Sequence, residues 1–403
     1  MPEFDLGVNL ADPDTFARGF PHDVFRRLRR EAPVYWHARA HERGGKGFFV
    51  VSKYEDVKYV GRTPQIYSSE PGITVVERTA DFEAGQSSML QMDPPRHARY
   101  RKLVSAGFTP RRINALEPMI RALANEILDD AVRKPCIDFV TDIAAELPLR
   151  VIARFLGVPP EDRTLLFSAS NRLLGFEDAE YGTNEDDGRL AAMELATLAY
   201  RIGEARKAAP QDDIVTILLN AEVDGLRLSD VDFIAFFVLL TIAGNETTRN
   251  QTSHTLRLLL EHPDELAKLR ADPSLLNSAV EEALRFRPPV MYFRRTTKAD
   301  TELRGVPIPK GSFVAVYHPS ANRDEEVFPE PDRFDITRSP NEHLAFGDGE
   351  HYCLGASLAR LQLRCMIGET LRRFPEITLD GEIDLLRSHF IDGVKHMPVK
   401  LQA

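Results

Sequence analysis

Cys353 lies within Phe346-Gly-Asp-Gly-Glu-His-Tyr-Cys-Leu-Gly355, which holds three glycines and a histidine close to the thiol. Glycines are poor helix material, but they permit a tight loop whose backbone comes close to another group. A strong helical pattern follows at 355–374, so the thiol sits against a helix amino terminus. There the dipole and free N–H groups favour a thiolate. An inert, buried cysteine is the commoner fate of a lone thiol, yet it explains neither the glycines nor His351. A zinc site needs further Cys or His at short spacing, and Cys365 falls in mid-helix. A nucleophile needs a base and an oxyanion site, and the sequence marks neither. A single thiolate on a glycine-rich loop is what an axial ligand to haem iron requires.

A second group with chemistry is Ala243-Gly-Asn-Glu-Thr-Thr248. Ser229-Asp-Val-Asp232 matches a helix-start signature, and only Gly244 interrupts the pattern before His262-Pro263. The spacing predicts a helix of about 33 residues, against a usual mean of about 12. At 1.5 Å per residue it would run roughly 50 Å, across the whole molecule. Glycine inside a helix costs about 1 kcal/mol relative to alanine, so Gly244 needs a reason. Ala243 and Gly244 leave room for a flat body and a small diatomic ligand. Thr247 can bond back to a carbonyl of the preceding turn, opening the ladder to water. Glu246 is then an acid beside an apolar pocket, suited to relaying protons. Without the cysteine loop, a polar interruption paired to a neighbouring helix would explain the motif equally well.

The elements that must position these residues are mostly helical. Strands are expected at 35–36 and 48–52 around the glycine-rich turn 43–47, and again at 290–295, 301–303 and 312–317. Amphipathic helices are expected at 54–61, 97–108, 113–133, 139–156, 263–271 and 274–286. The segment 160–207 is helical at both ends with an acidic break near 178–188. A stretch at 66–91 shows no sustained period, and loops of that length are usually functional or mobile. No repeat or linker divides the chain. The expectation is one domain over 1–403, mainly α with a small β-rich part.

Composition narrows the function. Hydrophobic residues make up 43% and charged residues 28% of 403, which excludes collagen-like, coiled-coil and largely disordered chains. A net charge of −10 repels nucleic acid and acidic lipid. The longest apolar run, 233–243, is far short of the about 20 residues of a bilayer span. The acidic start lacks a signal-peptide pattern, and three cysteines cannot build a disulfide framework. A cytoplasmic monomer with no nucleic-acid partner and no transmembrane segment is expected.

These motifs, in this order, resemble the cytochrome P450 superfamily, whose cysteine signature reads Phe-Gly-x-Gly-x-His-x-Cys-x-Gly. Every fixed position matches, and the resemblance covers essentially the whole chain. It implies the P450 fold with its long central helix over haem b (iron protoporphyrin IX), and Cys353 as the metal ligand. Phe346, Gly355, Ala243 and Gly244 would contact the haem; His97, Arg101, Arg295 and His351 would bind its propionates. Arg96, Arg99 and Lys102 read instead as a solvated basic face. Glu246 and Thr247 would serve oxygen activation. The pair Glu282 and Arg285, joined by Arg333, would be structural.

The activity so implied is monooxygenation, using O2 and electrons from a separate ferredoxin and its NAD(P)H-dependent reductase. The ferredoxin would dock on the basic patch. Leu240, Ala243, Val290, Met291, Phe293 and Phe390 are the candidate pocket residues. Stretches 243–250, 320–328 and 386–399 resemble the actinobacterial branch acting on sterols, terpenoids and branched or fatty lipids. Tailoring of a polyketide or another secondary metabolite is the alternative. A peroxide-driven haem-thiolate enzyme and a non-catalytic haem binder are disfavoured by the intact Glu246-Thr247 pair.

Overall fold

Two short apolar runs start the β-rich part: Val34–His37 (β1) and Phe48–Val51 (β2) pair antiparallel, with Val34 opposite Val51. The computed structural model describes residues 6–38, 46–76, 88–174, 178, 180, 185–223 and 225–402. Tyr67–Ser68 (β3), Tyr292–Thr297 (β4) and Phe313–Tyr317 (β5) complete a sheet of order β1-β2-β5-β4-β3. Only the β2–β5 pairing is parallel. Both of those strands are buried throughout, which is why each reads as an unbroken apolar run rather than an alternating one.

The helices that frame the site are α1 (Arg96–Ser105), α2 (Glu146–Phe155), α3 (Arg163–Leu174), α4 (Glu185–Ala208), α5 (Asp230–Glu261), α6 (Leu276–Phe286) and α7 (Ala356–Arg373). At 32 residues, α5 matches the expected long helix. Its start is a reciprocal capping box: Asp232 N–H donates to Ser229 Oγ at 3.1 Å and Ser229 N–H to Asp232 Oδ2 at 3.2 Å. Length and composition alone would let α5 cross a membrane. It is instead a core helix, packed on α2, α4 and α7 and burying Glu246, Arg249 and His254 inside the protein. Phe233, Phe236 and Phe237 all belong to that core.

Three expectations change. The helix expected at 113–133 breaks at Leu116 into Pro110–Ala115 and Glu117–Ala131, with Pro118 in the first turn of the second piece. The helix expected at 139–156 begins as a wider π turn, Phe139–Ala144, before α2. Pro148 lacks the N–H that would bond Ala144, so the α ladder loses a bond at the junction, which favours a break there. The carboxy-terminal strands Glu376–Leu379 (β6), Val394–His396 (β7) and Pro398–Gln402 (β8) have no counterpart in the sequence reading; β8 pairs with β6 and with Ile137–Asp138.

The ion-pair scaffold also differs in one member. Arg285 makes a two-bond fork to Glu282, 2.8 Å on each arm, and both side chains are fully buried. The third side chain is Arg338, whose Nε lies 3.2 Å from both Glu282 oxygens, not Arg333. The Arg333 guanidinium points out to Glu330, and only its backbone carbonyl accepts from Arg285. Truncating one partner of a buried pair strands the other charge at a cost of about 3–5 kcal/mol. Glu282→Ala is therefore expected to lose about that much in chemical denaturation. Arg333→Ala should stay within about 0.5 kcal/mol of the parent. A large loss in Arg333→Ala would restore the first assignment.

Candidate active site

The cysteine loop is held by backbone and by charge. Gly347 and Gly349 both have φ of +73°, and a Cβ on Gly349 would stand 2.4 Å from the Gly61 carbonyl oxygen. Only glycine fits there. Cys353 N–H donates to Phe346 O at 2.9 Å, and α7 starts at Ala356. Arg360 stacks 4.4 Å over Phe346 and forks onto Glu281 at 2.7 and 2.8 Å. Burial alone would raise the Glu281 carboxyl, but His343 and Arg360 outweigh it and hold it at about 2.

Cys353 stands where expected, yet the helix start does not make it a thiolate by itself. Burial pushes its thiol above the ordinary value, against the opposing pull of Gly355 and Ala356 N–H groups, Arg101 and Arg360. A metal cation at this sulfur would favour the thiolate. Cys136 and Cys365 are also free, the first exposed and the second buried.

His97, Arg101, Arg295 and His351 converge as the sequence suggested. The His97 and His351 rings lie 4.1 Å apart. Both ring nitrogens of His97 are buried without a hydrogen-bond partner, and Arg295 Nη1 reaches only the Arg294 carbonyl. Burial, with Arg101 adding to it, holds His97 down at about 4; burial also lowers Arg295 to about 10. The nearby carboxylate of Asp93 is already engaged by Ser68, Ser69 and Lys298. His351 Nε2 also lies 3.2 Å from Ser69 Oγ, but among the described residues none of the four donors is hydrogen-bonded to a carboxylate. They fit a group bearing carboxylates, as haem does. Arg96, Arg99 and Lys102, on the other faces of α1, are exposed.

On α5, Ala243 is exposed and Thr247 half-buried, with Thr247 Oγ1 donating to Ala243 O at 2.7 Å. Leu240, one turn earlier, is 9% exposed. Gly244 departs from expectation: a Cβ there would meet Ile152 of α2 at 3.3 Å, so its missing side chain makes room for a neighbouring helix. Glu246 turns aside from the Thr247 face and is buried behind it. One oxygen accepts from Arg249 and from Asn250 Nδ2, and the other has no partner. Arg249 in turn donates to Asn171 of α3 at 3.1 Å. The sequence reading missed Arg249 and Asn250, although their i+3 and i+4 spacing from Glu246 was a usable signal.

Of the remaining pocket candidates, Val290, Phe293 and Phe390 are half-buried. The rings of Phe293 and Phe390 lie 5.8 Å apart, and Val290 bridges Ile391. Met291 is a correction: it is buried in the cluster with Phe25 and Tyr317 and backs the strand. Part of the stretch 66–91 that shows no sustained period, residues 77–87, lies outside the described residues.

A thiol on a glycine-shaped loop, four side chains suited to carboxylates and an alanine-threonine helix face fit the chemistry of a haem-thiolate site. Comparison with known proteins agrees. A sequence model of the cytochrome P450 family matches residues 190–388. The steroid C26-monooxygenase of Rhodococcus jostii is 40% identical over 408 residues, 99% of this chain and 86% of that protein. A methyl-branched lipid omega-hydroxylase of Mycobacterium bovis is 38% identical over 93% of this chain and 90% of its own. A Mycobacterium marinum cytochrome P450 in complex with pseudoionone superposes with a TM-score of 0.89, at 39% identity over 94% of each chain. The chain belongs to the cytochrome P450 family, and it is a haem-thiolate monooxygenase.

Proposed function

We propose that this enzyme hydroxylates a sterol, a terpenoid or a methyl-branched lipid, with haem b as cofactor. The observation that carries the site assignment is the set of four donors around the cysteine loop that hydrogen-bond no carboxylate among the described residues. Cys353 would ligate the iron, and His97, Arg101, Arg295 and His351 would hold the propionates. Phe346 and Gly355 would shape the loop beneath, and Ala243 the face above. When bound, haem supplies oxygen activation and oxidation of a C–H bond. The protein's part is to seat an apolar substrate, exclude water and deliver protons through Thr247 and Glu246.

Phe293, Phe390, Val290 and Leu240 offer no charge to a substrate, which favours a lipid over a sugar or an acid. The names of the relatives support the same classes. Exposed Arg96, Arg99 and Lys102 suit an acidic ferredoxin, served by a separate NAD(P)H-dependent reductase. Three free cysteines suit a reducing cytoplasm.

The test is optical titration of the holoenzyme with sterols, terpenoids, branched fatty acids and macrolides, followed by NAD(P)H-driven oxygen uptake with ferredoxin and reductase. Spin-state shifts with the lipids and product formed only with the redox proteins are expected. Binding confined to macrolides would move the enzyme to secondary-metabolite tailoring, and turnover on peroxide alone would remove the ferredoxin.

A further inference from the structure

The loop that brings Phe390 to the pocket is tied to α5 at two buried points. Val394 N–H donates to Asn250 Oδ1 at 3.1 Å, and His254 Nε2 lies 3.0 Å from the Asp392 carbonyl oxygen. Between them Gly393 packs so closely that an added Cβ would stand 3.2 Å from Asn250 Nδ2 and 3.0 Å from Leu386. On its pocket side the loop pairs with the chain before β4, where Met291 N–H donates to Phe390 O at 3.0 Å. The place of Phe390 is therefore set from α5 on one side and from the chain at 287–291 on the other.

Of the two anchors, Asn250 is the one that also holds Glu246. Its Nδ2 donates to Glu246 Oε1 at 3.0 Å, and the residue is fully buried. A primary amide is planar, with its acceptor and donors fixed relative to one another. Orienting one end therefore orients the other, and in a buried site no solvent readily replaces a lost bond.

We propose that Asn250 is a positioning residue that couples the substrate-side loop 386–394 to Glu246. Seating of substrate against Phe390 and placement of the acid next to Thr247 are then one linked equilibrium. The inference rests on the reading of Glu246 as a proton relay. Linkage is reciprocal, so a change at Glu246, which sits behind the pocket face, must alter substrate affinity by way of Asn250.

The experiment needs no turnover. Pseudoionone is titrated into holoenzyme and its dissociation constant read from the spin-state shift. Glu246→Ala is expected to weaken binding about fivefold and Asn250→Leu about tenfold. The double variant should be no weaker than Asn250→Leu alone, because contacting residues are not additive. His254→Leu loosens the loop without touching Glu246, so its loss should add fully to that of Glu246→Ala. Full additivity between Glu246→Ala and Asn250→Leu, or parental affinity in Glu246→Ala, overturns the proposal.

Should Asn250→Leu fail to fold, Gly393→Ala pushes on the same contact from the loop side and is expected to abolish the effect of Glu246→Ala in the same way. Hydrogen exchange of the 386–394 amides gives a ligand-free reading. It should quicken in Glu246→Ala, and unchanged exchange overturns the coupling. Failure of the proton-relay reading shows separately, as a Glu246→Gln turnover rate equal to the parent, and is independent of this binding cycle.

Discussion

Replacing Cys353 by His is expected to leave a folded protein that takes up haem, loses the thiolate signature in its reduced carbon monoxide spectrum and hydroxylates at background. The loop does not depend on the thiol for its shape. Its fixed points are the Cys353 N–H bond to Phe346 O, the approach of Gly349 to Gly61 and the fork from Arg360 to Glu281. All three survive the substitution. What changes is the ligand: a neutral imidazole pushes far less electron density onto iron than a thiolate does. Cys136→Ala and Cys365→Ala are the controls and should keep both spectrum and turnover within about twofold. The Cys365 thiol is pushed up to about 11 by burial, which leaves it protonated and inert at neutral pH. A thiolate spectrum retained by Cys353→His would show that another residue holds the metal.

The parts of this architecture that were legible in the sequence are those fixed by local rules. A capping box, a run without breakers and a closing His262-Pro263 are enough to define α5, because helix limits are set within a few residues of the chain. Three glycines around one cysteine define the loop for the same reason. Breaks caused by Pro118 and Pro148 were also local, and the proline rule accounts for them. Other features depend on residues far apart in sequence. Arg333 and Arg338 sit on one loop with the same charge, and only the path of that loop decides that Arg338 meets Glu282. Likewise β6 to β8 are short, and their partners include Ile137–Asp138, far back along the chain. That Arg249, the partner of Glu246, is itself held by Asn171 of α3 could not be read from local spacing, because α3 lies far back along the chain.

Thr247→Ala is expected to keep substrate binding and reduction while product per NAD(P)H falls roughly tenfold or more, with hydrogen peroxide taking its place. Successive residues on a helix diverge by about 100°, and the structure shows the consequence. Thr247 lies on the Ala243 face, with its hydroxyl hydrogen engaged by the Ala243 carbonyl. Its oxygen keeps a lone pair for water or substrate-side groups. Glu246 turns away into Arg249 and Asn250. Removing the hydroxyl deletes no charge and no core contact, so the fold, the cysteine loop and the pocket should be untouched. What is lost is control over where protons arrive. Glu246→Gln acts differently. A neutral amide cannot relay a proton, so the whole cycle should slow by about 10²-fold rather than leak. The same change leaves the buried Arg249 guanidinium without its anion, so the stability of this variant must be measured beside its rate. Product, NAD(P)H consumed and peroxide formed are assayed together in both variants. Fully coupled turnover by Thr247→Ala would remove the pair from proton delivery, and a Glu246→Gln rate equal to the parent would leave Thr247 acting with water alone.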